Sequence, residues 1–168
     1  MKEQYPRLFE KIKEQVAAGK IEVQGGMWVE PDTNITGGES LIRQFYYGKK
    51  FWKDEFSKDV NTLWLPDVFG FTGALPQIMK GCDCENMLTI KICWNMVNKF
   101  PYHSFLWQGI DGSEVTVHFN TIQTTGDPEA ISSRVQKRLN KHLTEHVLMA
   151  YGYGDGGGGP SKEMLEMQ

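Results

Sequence analysis

Leu8, Ile12 and Val16 recur every four residues, the spacing of an apolar stripe on an α-helix, and Gly19 closes that stretch. Residues 21–23 read as a short strand that runs into the loop Gly25-Gly26-Met27-Trp28-Val29-Glu30-Pro31-Asp32. Leu41, Phe45 and Phe56 mark a second helical stretch, with a break expected near Gly48. Residues 62–65 form the next strand. Pro76 and Gly81 bracket a third helix, proline at its start and glycine past its end. Residues 87–90 make another strand. Residues 105–107 and 115–119 flank Asp111-Gly112 and read as a hairpin set aside from the main alternation. Asp127 before Pro128 opens a fourth helix, on which Ile131, Val135, Leu139 and Leu143 keep a spacing of four. Residues 147–150 are the last strand, and Pro160 starts a final helix. Strands alternating with helices predict an α/β fold, a mostly parallel sheet flanked by helices.

Length and charge narrow the classes. The 168 residues suit one domain with a real core. A net charge of −3 supplies no basic field to gather nucleic acid or an anionic membrane. The sequence shows no secretory apolar region at its start and no run near the roughly 18 residues of a membrane span. Three scattered cysteines, Cys82, Cys84 and Cys93, form no zinc pattern, because Cys82-x-Cys84 is too tight and lacks a second pair. Their odd count suits a reducing, cytoplasmic setting. Five tryptophans and nine phenylalanines fit either a large core or sugar-stacking walls.

Candidate chemistry collects after the strands. The strand at 62–65 stops at Pro66, which donates nothing to a ladder, and Asp67 follows at once. In α/β proteins ligands bind outside the carboxyl ends of strands, so a carboxylate there is placed to react. The alternative is an Asx-turn or a helix cap. Trp28, Glu30 and Asp32 follow the first strand, Lys91, Trp94 and Asn95 the third, and Asp155 the last. Four such clusters predict one rim at the carboxyl edge of one parallel sheet, with Trp28, Glu30, Asp32, Trp94 and Asn95 as candidate substrate-binding side chains. The run Gly156-Gly157-Gly158-Gly159 beside Asp155 lacks the Lys-Ser/Thr of a Walker motif and the G-x-G-x-x-G spacing, which disfavours a phosphate cradle. It lets backbone approach a bulky ligand closely. Two carboxylates on an aromatic-walled rim suggest glycoside hydrolysis.

These residues also carry a resemblance. Gly25 to Asp32, Gly38-Glu39-Ser40, Trp64 to Gly70, Trp94-Asn95, Asn98-Lys99-Phe100-Pro101, Trp107 to Gly112 and the glycine loop to Pro160 together resemble the α-mannosidases of glycoside hydrolase family 38, in collinear order along nearly the whole chain. The resemblance implies a partial (β/α) barrel-like catalytic domain, of which residues 1–168 would be one internal piece. It implies zinc-dependent hydrolysis of α-mannosides with retention, with mannosyl oligosaccharides or glycosides as substrates. Asp67 matches the family's nucleophile, which is also a zinc ligand, and Asp155 is the match for the acid/base. The family's His-x-Asp zinc motif and its later zinc-binding histidine have no counterpart here. His103, His118, His142 and His146 stand in other contexts. Zinc ordinarily takes at least three protein ligands, and Asp67 alone is identifiable, so the isolated chain is expected to bind zinc weakly and to be inactive. A free-standing carbohydrate-binding α/β module without catalysis is the alternative.

Overall fold

The computed structural model describes residues 1–119, 122–123, 126–139, 141–142, 145–153 and 158–167. In chain order the described elements are α1 (Pro6–Ala17), α2 (Gly38–Phe56), β1 (Thr62–Trp64), α3 (Leu75–Gly81), β2 (Asn86–Thr89), a 3-10 turn (Lys91–Cys93), β3 (Ser104–Gln108) and β4 (Glu114–Phe119). There follow β5 (Ile122–Gln123), α4 (Pro128–Lys137), β6 (Ala150–Tyr151) and α5 (Lys162–Glu166). Four strands form one open, mostly parallel sheet in the order β1-β2-β4-β3, with no closed barrel among the described residues. The fold is α/β, as the alternation predicts. None of the described helices is long and apolar enough to cross a membrane.

The strand register decides what each face does. Leu63, Met87, Val117 and Phe105 align across the sheet and point to one side. Leu41 and Phe45 of α2 and Leu75 and Met79 of α3 join the core on that side, all fully buried. Each such side chain taken from water contributes about 1.5–3 kcal/mol, so this layer anchors the domain. The other face carries the row Trp64, Leu88, His118 and Ser104.

Helix α1 forms where the period predicts, but its inward residues are Phe9 and Val16, and Leu8 faces solvent. Phe9 meets Phe56 of α2 edge to face at 5.5 Å.

Several elements depart from the sequence expectation. Residues 21–23 form no strand: Gly25 at φ +87° turns the chain early, and the link to β1 is a bond from Gly26 N–H to Thr62 O at 3.0 Å. Helix α2 runs unbroken through Gly48. The helix needs glycine there because a Cβ would lie 2.6 Å from the Met27 carbonyl carbon and 2.8 Å from the Trp28 nitrogen. The hairpin at Asp111-Gly112 is present, and β4 joins the main sheet through a parallel pairing with β2. Helix α4 is capped by Asp127 Oδ1, which accepts from Ala130 N–H at 2.8 Å, but it ends at Lys137, so Leu139 lies beyond it and Leu143 lies outside the described residues. Residues 147–150 contribute Ala150 to β6, which pairs with β5 in a separate two-stranded sheet. The four predicted clusters therefore do not all follow strands of one sheet.

Candidate active site

The parallel register of β1 and β2 sets up the site. Past the strands the ladder continues one step: Leu65 N–H donates to Leu88 O at 3.0 Å, and Ile90 N–H to the Pro66 carbonyl at 3.3 Å. Pro66 donates nothing but still accepts, so the two chains part just beyond it. The next residue on each chain is Asp67 and Lys91. Lys91 Nζ lies 2.6 Å from Asp67 Oδ1, the lysine side chain 13% exposed and the aspartate 63%. The ammonium also sits 3.7 Å from the Trp94 ring centroid and 5.0 Å from that of Phe69, cation–π contacts that add to its hold.

A hollow of about 350 Å³ opens here, lined by Phe69, Gly70, Phe71, Lys91, Ile92 and Trp94. Two larger hollows lie elsewhere among the described residues. One of about 600 Å³ runs beside α2, where Lys50 pairs with Asp54 and Lys49 with Asp59. The other, about 390 Å³, lies on the second sheet face. Size does not select among them. The 350 Å³ hollow has aromatic walls suited to the apolar face of a sugar and adjoins Asp67 through Lys91, which lines it and pairs with the carboxylate.

The other predicted site residues divide. Glu30 reaches the site, its Oε1 accepting the Asp67 backbone N–H at 2.6 Å. Trp94 borders the hollow and is 68% exposed. Asn95 stands next to it and donates to Ile92 O at 3.0 Å. Asp32 builds its own loop, Oδ1 accepting from the N–H groups of Asn34 at 2.8 Å and Ile35 at 3.0 Å. Trp28 turns to α2, where its ring meets Phe51 at 5.7 Å and its backbone N–H donates to Gln44 O at 2.9 Å. Asp155 lies outside the described residues. Sequence reasoning put Lys91 on the rim without a role and passed over Phe69. The signal for both was their place shortly after a strand, but the contacts of Lys91 with Asp67 and with the Phe69 ring depend on the β1–β2 register.

Residues 1–168 match the glycosyl hydrolases family 38 N-terminal domain. The chain belongs to that family. It is 43% identical to alpha-mannosidase 2C1 of Mus musculus over 99% of this chain and 16% of that protein. With alpha-mannosidase G of Dictyostelium discoideum it shares 44% identity over 98% of the chain and 16% of the relative. The chain thus spans 16% of the length of these relatives. An alpha-mannosidase of Enterococcus faecalis V583 has the same fold, with a TM-score of 0.72 at 22% identity over 90% of this chain and 18% of that one. Family 38 membership carries the expectation of zinc. Among the described residues no three His, Cys, Asp or Glu side chains gather to hold a metal, and Asp67 Oδ1 is already engaged by Lys91. The described donor set does not fit zinc by itself.

Two histidines of this family 38 chain, His103 and His118, have shifted pKa values. His118 Nδ1 pairs with Ser104 Oγ at 2.9 Å, while its Nε2 is buried without a hydrogen-bond partner among the described residues. Burial, and then the Arg134 guanidinium, push the His118 pKa below its ordinary value, and the same two causes with His118 itself lower that of His103. A depressed histidine pKa in the folded state means the unfolded chain binds more protons as pH falls below about 6.5. Stability is therefore expected to be level above that pH and to decline below it, until the folded-state values are passed. Urea midpoints at pH 7.5 and 5.5 measure the decline. His118→Gln, which keeps a polar partner for Ser104 but does not titrate, should shrink it.

Proposed function

We infer that this chain is the part of an α-mannosidase that carries the nucleophile, Asp67, for hydrolysis of terminal α-D-mannosides with retention. The observation that carries the reading is the placement of Asp67. It lies just past parallel strand β1, beside an aromatic-walled hollow, in a chain of family 38, with its backbone held by Glu30 and its carboxylate by Lys91. In the first step an Asp67 oxygen attacks the anomeric carbon, forming a glycosyl ester as the glycosidic bond breaks, and the departing oxygen takes a proton from the acid/base. In the second, water gives its proton to that base and attacks the same carbon, releasing mannose and restoring the carboxylate. Asp155 is the residue we assign to the acid/base. Phe69 and Trp94 would stack on the sugar, with Asn95 at the mouth of the hollow. Zinc, as the family implies, would need ligands beyond the described residues, with Asp67 contributing one, and no step here is routed through it. The free thiols of Cys82 and Cys84 support a cytoplasmic setting.

Covalent trapping tests the reading. A fluorinated mannosyl fluoride provides a good leaving group and slows the second step, so the glycosyl-enzyme accumulates. Peptide mass spectrometry of an α-mannosidase containing this segment should find one fluoromannosyl group on the peptide with Asp67. A label on another carboxylate would refute the assignment, and mannoside binding without any label would favour the carbohydrate-binding alternative.

A further inference from the structure

We propose that Glu30 is a positioning residue for Asp67, acting through the Asp67 backbone rather than through the substrate. Asp67 N–H is the first amide past the shared ladder of β1 and β2, whose last bonds use Leu65 N–H and Ile90 N–H. Its partner has to come from elsewhere, and Glu30 Oε1 supplies it at 2.6 Å. The chain around Glu30 is itself fastened to the same turn. Thr33, fully buried, donates its hydroxyl to Gly70 O at 2.7 Å and bridges to Phe71 in parallel. Glu30 thus arrives on a loop stitched to both ends of the segment 67–71. At the other end of the residue, Lys91 grips Oδ1 at 2.6 Å. Backbone and carboxylate are thus both held. A reacting group fixed at both ends spends little on orientation, which is the benefit such a clamp provides.

The chemistry of the contact gives a sharp test. Glu30 serves as an acceptor, so the role needs Oε1 and not the charge. Glutamine keeps that oxygen and alanine removes it. In this chain, Glu30→Ala is expected to speed hydrogen exchange of the Asp67 amide roughly 10- to 100-fold, as loss of a charge-assisted bond implies. The Val117 amide, deep in the sheet, should stay unchanged. Glu30→Gln should keep most of the protection. Glu30 is solvent-exposed, so neither change empties the core. In an α-mannosidase containing the chain, Glu30→Ala should lower kcat while KM stays near its starting value, with Glu30→Gln largely restoring kcat. Only this kinetic arm rests on Asp67 as nucleophile. Unchanged Asp67 exchange in Glu30→Ala, or equal loss of protection in both variants, would overturn the positioning role. Changed exchange in an enzyme that traps no sugar on Asp67 would refute the nucleophile and leave the positioning role standing.

Discussion

Asp67→Asn in an α-mannosidase carrying this segment is expected to lower kcat by on the order of 10⁴-fold or more, because a neutral amide is a poor nucleophile toward an anomeric carbon. The loss should come without unfolding. Asp67 is 63% exposed and its pair with Lys91 has one side in solvent, so the ion pair adds at most about 1 kcal/mol to stability. An unchanged denaturation midpoint beside a collapsed kcat is the expected combination. Retention of a tenth of the wild-type rate would remove Asp67 from the nucleophile's role.

Gly48→Val is expected to give the largest loss of stability. In an exposed helix, replacing glycine with a side chain usually helps, or costs only a fraction of 1 kcal/mol. Here the sign reverses because the obstacle is backbone. The added Cβ would meet Met27 and Trp28 main-chain atoms at 2.6 and 2.8 Å, and the Gly26 carbonyl closer still. Relief requires the 26–28 segment to lift off α2, which breaks the Trp28 N–H bond to Gln44 O and the Val29 N–H bond to Gln44 Oε1. Overpacking of this kind costs about 3 kcal/mol, so thermal unfolding should move down by roughly 6–12 °C. Gly48→Ala should share the sign, since its Cβ is the clashing atom. A melting temperature that stays level or rises would mean that the loop and helix do not pack so closely.

Local signals explain which parts of this structure were legible. The proline at the start of α3, the Asp127 cap of α4 and the apolar runs of β1, β2 and β4 are short-range patterns, and each gave its element. What failed were statements about distant partners. Residues 147–150 look like any buried strand, yet which sheet they join depends on β5, almost 30 residues earlier. Gly48 reads as a helix breaker until the loop that crowds it is known. The site follows the same division. Asp67 was visible from Pro66 and the strand before it, whereas Lys91 and Glu30 owe their roles to contacts 24 and 37 positions away in sequence.

The insertion of β4 between β2 and β3 has a consequence for the order of folding. Gln108 and Glu114, the pair next to the hairpin turn, stand six positions apart, whereas Thr62 and Asn86 stand 24 apart and Asn86 and Thr116 stand 30 apart. Loop-closure entropy rises by about 0.6 kcal/mol for each doubling, so the parallel ladders cost about 1.2–1.4 kcal/mol more to close than the hairpin. The antiparallel ribbon is the least costly pairing to close, and of the two parallel ladders β1–β2 costs slightly less than β2–β4. Asp67 and Lys91 meet only when β1 pairs with β2, so the reactive corner depends on a long-range closure and not on the local hairpin.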